Sequence, residues 1–493
     1  MAWSCIVTKR SAVAGACLAA AFVCGAGEAT AQVPLTSSVN QATGLTSDDM
    51  RILAQQLLDS GRPSDAGQVL NALLSRDPDD VTALIMGAQA ALSQNQPAAA
   101  VDLAARGYAT AQDRTSRYVA ARLAALAHAA LQQDTRAQLW LRRARQYAPD
   151  QANADSVAQD YASLRDRNPL SFQLEFGASP SNNINNGSRS DTVSIGPFVS
   201  VLSESAKPLS GIRFNASGTL RYRLDETETS QTSLEFDFST TTYALSQTSR
   251  DALQRDIDGA AGDASDLPRA GSDFAYTESS VSLTHREIFR QGSKPTSAAL
   301  QLGRSWYGGD PYQIFAAASA SQTFALGASQ QLRVDAFYRY NFDNQPVETD
   351  RFGVPIENDD VSNLGVGIGY ARVMDGGNVA SVDLTRRFSM SDNAENDFTS
   401  WRVGAGLDLG RPVMDVRFGF GAQIEARDFG QSIYTTGLRR DHIVTGQVTA
   451  VFDDLEYYGF TPAVTLSAGR TYSKAERFDT DFANVGVDLR SAF

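Results

Sequence analysis

The chain closes with NVGVDLRSAF, residues 484–493, and the reading of this stretch decides the fold. Val485, Val487 and Leu489 alternate with Gly486, Asp488 and Arg490, and Phe493 ends the run on an aromatic ring. A period of two puts apolar side chains on one face of an extended strand and polar ones on the other. The same period recurs upstream, back to about residue 192.

In IRFNASGTLRYRL (212–224), Ile212, Phe214, Ala216, Leu220, Tyr222 and Leu224 alternate with Arg213, Asn215, Ser217, Thr219, Arg221 and Arg223. LRVDAFYRYNF (332–342) and MDVRFGFGAQIEAR (414–427) repeat the arrangement. These runs exceed the five or six residues of an ordinary soluble strand. They match the length needed for a tilted strand to cross a bilayer. A soluble sandwich would alternate too, but would bury its apolar face under a second sheet. Long strands, aromatics near the ends of the apolar faces and charges of both signs opposite them favour a barrel in lipid. The terminal alternation of Val485, Val487 and Leu489 with Phe493 resembles the signal read by the outer-membrane barrel assembly machinery. Counting backward from a periplasmic C-terminus makes 290–295, 327–329, 375–377, 410–412 and 453–457 short periplasmic turns, and 246–272, 343–359 and 428–439 outer loops. The count predicts a transmembrane antiparallel β-barrel of about 14 strands, spanning 192–493, with 170–178 left over on the periplasmic side.

The first residues read as an export leader (1–31): Lys9 and Arg10, the apolar run SAVAGACLAAAFVCGAG, and an A-x-A-type cleavage site at 29–31. The competing reading, a lipoprotein signal at Cys17 or Cys24, lacks the leucine three residues upstream. All three cysteines lie in this segment, so the remainder carries no disulfide, thiolate metal site or cysteine nucleophile. Without Lys9, Arg10 and Glu28 the chain has 41 basic and 55 acidic residues, a net charge of −14. Such a balance argues against nucleic acid, whose phosphates require clustered cations. Residues 32–45 read as a disordered N-terminal segment.

Residues 46–168 carry a helical repeat. Ala66, Ala100 and Ala137 recur at spacings of 34 and 37, each near the start of a second helix. Met50, Ala54, Leu57, Leu70, Leu73 and Pro78 stand where a tetratricopeptide repeat places packing residues, as do Leu84, Ala88, Ala91 and Ala104, and then Ala121, Ala125, Leu141, Ala144 and Pro149. A polar helix over 151–166 would cap the stack. The fold class is therefore an N-terminal tetratricopeptide α-solenoid followed by the membrane barrel, with 169–191 as junction. By resemblance to such repeats, the concave face would bind a client through Asp48, Arg51, Gln55, Ile85, Gln89 and Arg122. The plainer alternative, solvated helix faces, stays open for each.

The face opposite the apolar one would line the barrel lumen: Arg213, Arg221, Arg223, Arg339, Asp383, Arg387, Arg402, Asp408, Asp488 and Arg490. A solute filter and a network of neutralised charges are both open, the second being the simpler. Glycines share this face, at 365, 367, 369, 404, 406, 419 and 421, either to coil the strands or to clear room inside. No catalytic constellation stands out. His128, His285 and His442 are far apart, and the acidic run at 256–266 lacks calcium-loop spacing and reads as a solvated outer loop. No enzyme activity, cofactor or metal is expected.

A leader, a short tetratricopeptide domain and a barrel of about 14 strands, in that order, resemble the surface lipoprotein assembly modifier family. That family carries a P-x-x-N-x-N motif before its barrel, matched here by Pro180, Ser181, Asn182, Asn183, Ile184 and Asn185. Its expected use is a turn held by asparagine side chains, locking the solenoid against the barrel mouth through Pro180, Asn183 and Asn185; a polar linker is the alternative. The resemblance implies an outer-membrane translocator with its solenoid in the periplasm, moving client lipoproteins or other exported proteins to the surface. Its partners would be client, outer-membrane lipid and the barrel assembly machinery. The rivals are an exopolysaccharide export porin with tetratricopeptide repeats and a passive solute porin.

Overall fold

The alanines that mark the repeat are among the residues fully withdrawn from solvent. A computed structural model describes residues 45–195, 198–260, 264–265, 267–290, 293–345, 360–435, 437–455 and 457–491. The leader, nearly all of 32–45 and Phe493 lie outside the described residues.

Seven helices come first: α1 Ser47–Asp59, α2 Pro63–Arg76, α3 Val81–Ser93, α4 Pro97–Thr110, α5 Arg114–Ala130, α6 Asp134–Gln146 and α7 Gln151–Arg167. Ala66, Ala100 and Ala137, the fourth residues of α2, α4 and α6, have no exposed surface. A methyl group is the largest side chain that lets paired helices come this close. The start of α3, α5 and α7 is fixed by Asp80, Asp113 and Asp150, whose carboxylates accept from the main-chain N–H three residues on, at 3.0, 2.8 and 2.9 Å. The turn within each pair passes through a left-handed residue at one repeat position, Gly61 (φ 71°), Asn95 (φ 56°) and Gln132 (φ 59°).

The barrel begins at once. β1 is Leu170–Ser181, and β4 Gly211–Glu226, β5 Ser230–Leu245, β6 Tyr276–Glu287, β7 Thr296–Tyr307, β8 Asp310–Ala325 and β9 Gln330–Asp343 follow. β10 Val361–Val373, β11 Val379–Met390, β12 Phe398–Asp408, β13 Arg417–Phe429, β14 Arg440–Val451, β15 Phe460–Ser473 and β16 Thr480–Ser491 complete it. Every neighbour is antiparallel, and β1 closes the cylinder by pairing with both β4 and β16. The barrel has 14 strands.

The expected first strand is corrected. Residues 192–202 do not enter the barrel: β2 Thr192–Ile195 and β3 Phe198–Val201 form a separate hairpin. Four residues of strand span about 13 Å, too short to cross a bilayer. Leu170–Ser181, left over in the sequence count, supplies the missing crossing, with Phe172, Leu174 and Phe176 on the same face as its neighbours' apolar residues. The barrel therefore starts at 170 rather than 192.

The lipid-facing surface carries Phe214, Leu220, Phe236, Leu300, Leu302, Ile424, Val485 and Val487, all exposed. One row of it is bare: Ala405, Ala422, Gly446, Ala468 and Ala483 oppose one another directly across β12–β16. They floor a recess of ≈ 1050 Å³ on the outside of the wall. Short connections such as 326–329 and 374–378 lie at the solenoid end. The expected outer loop 343–359 falls almost wholly outside the described residues. The chain leaves β1, β5 and β9 at the far end, where most of 182–210 and 246–275 lies. There, α8 Gln247–Asp258 packs Ala252 and Leu253 on Ile184, Leu209 and Leu245. This corrects the reading of 256–266 as a plain solvated loop, since its first residues end a helix seated on an apolar core.

Candidate functional site

The lumen is built by the alternate residues of each strand. Arg213, Arg221, Arg223, Arg339, Asp383, Arg387, Arg402, Asp408, Asp488 and Arg490 all stand on the face opposite the exposed apolar set. Most are engaged with neighbours. Arg221 Nε meets Glu235 Oε1 at 2.8 Å, and Arg213 Nε donates to Ser179 Oγ at 3.2 Å. Arg339 Nη2 meets Glu278 Oε2 at 2.9 Å, with its guanidinium 3.6 Å above the ring of the fully buried Phe315. Arg387 has no carboxylate partner among the described residues; its Nε donates to Asn363 Oδ1 at 3.0 Å. Arg402 donates to Thr385 Oγ1 at 3.4 Å. Arg427, on the polar face of the 414–427 run, pairs with Glu425 at 2.9 Å. Arg339, Arg387, Arg402 and Arg427 thus form a slanting belt of cations along β9–β13.

Several inward glycines are places for neighbouring side chains to lie, while Gly369 faces open space. A Cβ on Gly365 would sit 2.2 Å from the Phe337 ring, and one on Gly303 2.3 Å from Phe315. At Gly404 and Gly177 it would meet the carboxylates of Asp383 and Asp488 at 2.2 and 2.1 Å. Clearance therefore governs these positions, and the strand-coiling alternative does not explain them. Beside Gly404, Gly406 and Gly421 a chamber of ≈ 650 Å³ opens inside the barrel, also lined by Arg213, Asp383 and Asp408.

The asparagine motif reaches this chamber from the far mouth. Pro180 is the penultimate residue of β1, at the end of the barrel away from α7, so the motif does not stand between solenoid and barrel. This corrects the expected lock; a 12-residue strand carries the chain through the wall before the asparagines are reached. Asn183 bonds its own loop, as expected of an asparagine turn: its Oδ1 accepts from Gly187 N at 2.7 Å and its Nδ2 donates to Gly187 O at 3.0 Å. Asn185 Nδ2 donates to the carbonyls of Ser205 and Lys207, both at 2.8 Å, and Oδ1 accepts from Leu209 N at 3.0 Å. Lys207 and Arg255 flank Glu204 at 2.9 and 2.7 Å, and these cations hold its carboxyl below the usual range. Arg439 is buried between the rings of Phe429 and Phe478, at 3.9 and 3.4 Å, and its fork grips Asp441 while Nη1 meets Glu395 at 2.6 Å. It ties three far-end connections together, and nothing in the sequence pattern marked it.

The solenoid is fastened to the opposite rim by other residues. Arg223, expected in the lumen, leaves it: its Nη2 donates to the carbonyls of Asp166 and Asn168 at 2.6 and 3.2 Å, on the last turn of α7. Tyr458, in the turn before β15, has a left-handed backbone (φ 50°), and its N–H donates to Gln146 Oε1 at 3.0 Å. Its hydroxyl meets those of Tyr108 and Tyr147 at 3.3 and 3.2 Å, and these hydrogen bonds raise it above the usual tyrosine range. Arg142 of α6 donates to Ser491 Oγ at 3.3 Å and lies 5.4 Å above the Phe172 ring. Among the client-binding candidates, Arg51 Nη2 is joined to Asp80 at 2.7 Å, Arg122 Nη2 to Asp160 at 2.9 Å and Gln55 to Asp59 at 2.8 Å. Arg51 and Arg122 thus link helices of the stack. Burial works against the Asp80 carboxylate, but Arg51 and the Ala83 N–H outweigh it and hold it below the usual range. Asp48 pairs with Arg51, Gln89 is exposed and Ile85 half-buried.

No protein-family model and no curated protein matches the chain. Among solved structures, the chain is similar over 25% of its length to the Yersinia enterocolitica type III secretion translocator chaperone SycD, with 17% identity, 88% of that chain covered and a TM-score of 0.23. It is similar over 68% to Pseudomonas putida OprB, with 10% identity, 96% of that chain covered and a TM-score of 0.36. OmpT of Vibrio cholerae matches 65% of the chain at 11% identity, with 97% of that protein covered and a TM-score of 0.31. The molecule has the fold of a 14-stranded transmembrane β-barrel carrying a tetratricopeptide-like helical domain.

Proposed function

We propose that the chain is an outer-membrane translocator that moves proteins, typically surface lipoproteins, from periplasm to cell surface. The solenoid faces the periplasm and docks the client, and the barrel provides the route. The observation that carries this reading is the short, hydrogen-bonded join between the two parts. Helix α7 ends at Arg167 and β1 begins at Leu170, and Arg142, Arg223 and Tyr458 fix the solenoid to the rim. A solute pore needs no such attachment, whereas a client held at a fixed rim is presented to the mouth. No covalent chemistry, cofactor or metal is called for, and folding of the client outside would drive the transfer. Val485, Val487 and Leu489 of β16 would be read by the assembly machinery.

The test is co-expression with a candidate lipoprotein client in a Gram-negative host, followed by protease treatment of intact cells. Client cleavage that depends on this chain is the expected result. Arg142→Ala combined with Tyr458→Ala should leave the barrel folded and reduce cleavage several-fold. A client that stays protected beside a folded barrel defeats the reading and brings polysaccharide or solute passage forward.

A further inference from the structure

The junction of β1 and β16 is closed unlike the other ladders of the barrel. β1 is opposed by β4 along its whole length, Leu170–Ser181 against Gly211–Tyr222. β15 and β16 likewise match from Phe460/Ser491 to Thr471/Thr480. Across the seam, among the described residues, Glu175–Ala178 find partners in Val487–Arg490, and then Ser181 in Asn484.

Strand parity explains the gap. Arg223 N donates to Pro169 O, so odd-numbered residues of β1 turn their main-chain groups toward β4 and even-numbered ones toward β16. Pro180 is therefore aimed at β16 and has no N–H to give it. Beyond the proline, side chains replace the ladder. Asn182 Oδ1 accepts from Ala483 N at 2.8 Å, and Asn183 Nδ2 donates to the Asp481 carbonyl at 2.8 Å. Beside the gap, the buried Oδ1 of Asn484 has no hydrogen-bond donor, a local cost that a continuous ladder does not carry. At the solenoid end, Arg142 touches both strands, through Ser491 Oγ and the Phe172 ring.

We propose that the β1–β16 seam is a lateral gate, latched by Asn182 and Asn183 at its far end and by Arg142 at its solenoid end, through which the acyl-bearing segment of a lipoprotein client reaches the bilayer. The identity of the client rests on the translocator reading; the gate itself does not. An acyl chain drawn through a lumen of Arg, Asp and Glu side chains would meet water and charge throughout. A slot in the wall lets the polypeptide stay in the polar interior while the lipid stays in lipid.

The test uses the full chain in lipid vesicles. No cysteine lies beyond Cys24, so cysteine pairs can be placed cleanly. Ala178→Cys with Val487→Cys spans the seam, and Val464→Cys with Val487→Cys spans the adjacent ladder. Nitroxides on the seam pair should show a fraction lacking dipolar coupling. Asn182→Ala with Asn183→Ala should raise it about 5- to 30-fold, the factor set by two lost hydrogen bonds. Arg142→Ala should raise it separately, and the control pair should not respond. A seam pair as tightly coupled as the control in all variants overturns the gate. In cells, a disulfide across the seam should abolish surface display of a lipidated client and reduction should restore it, while the control disulfide has no effect. Undiminished display with the seam locked overturns the seam as the route. No display by the uncrosslinked protein defeats the translocator reading instead, and the vesicle measurement still decides the gate.

Discussion

Replacing Arg439 by methionine should release the far end of the barrel while leaving its strands intact. Arg439 is 4% exposed and Asp441 2%. The guanidinium is the cation paired with the Asp441 carboxylate, and it also meets Glu395. Removing one partner of a buried pair costs about 3–5 kcal/mol, because the other charge is left without compensation. Loss of stacking between Phe429 and Phe478 adds up to ~2 kcal/mol, although methionine fills part of the space. A net cost of about 4 kcal/mol corresponds to a roughly thousandfold fall in protection. Hydrogen exchange resolved by segment reads this directly. Amides of 391–397, 430–439 and 474–479, including Ile433 N, which donates to Glu395, should lose protection while those of β12 and β13 keep theirs. Adding Asp441→Asn removes the stranded charge and should recover most of the loss, to within about 1–2 kcal/mol of the parent. Protection in Arg439→Met within threefold of the parent would refute the argument, as would a double variant no better than the single.

Gln132→Gly should stabilise the solenoid by about 0.5–1 kcal/mol, since it relieves a left-handed residue at slight entropic cost; an unchanged or lower midpoint in the thermal melt of the helical signal refutes it. The folded-state pKa of Asp80 is depressed, so its contribution is present above the unfolded value of ~3.9 and lost as pH falls through the folded one. Asp80→Asn should flatten the acid limb of helix stability below pH ~4, and an unaltered limb would count against the Arg51–Asp80 pair. Gly303→Val should sharply reduce barrel folding yield, judged by heat-modifiable migration on gels, because its Cβ meets the Phe315 ring at 2.3 Å. Gly369→Ala, with open space around it, should fold like the parent.

The sequence made the periods legible and left the joins obscure. Alternation placed Phe214 and Leu220 outward and Arg213 and Arg221 inward, because side-chain direction in a strand depends on parity alone. Repeat spacing located Ala66, Ala100 and Ala137, since close helix packing admits only small residues there. What alternation could not settle was where the count begins. Residues 192–201 have strand-forming composition but lack the length, and Leu170–Ser181 has both. The seam latch, the Tyr458 contacts and the Arg439 cluster join residues about 300, 312 and 44 positions apart. No local pattern encodes a partner at that separation. Arg223 fits its strand's alternation and still leaves the lumen, because the end of α7 offers it two carbonyls.

The row Ala405–Ala422–Gly446–Ala468–Ala483 on the outer wall is backed within by Gly404, Gly406, Gly421 and Gly469, over which lie the side chains of Asp383, Ser381, Gln447 and Phe482. Over that band of β12–β16 the outer face is hollow, whereas β4–β9 carry aromatic rings outward as well as inward, among them Phe236, Tyr243, Phe315 and Tyr338. The cylinder therefore has an uneven outer contour, recessed on one arc and ridged on the other. Hydrocarbon chains lying against the wall come closer to the barrel axis over the recessed arc, where only methyl groups and backbone stand between them and the side chains within.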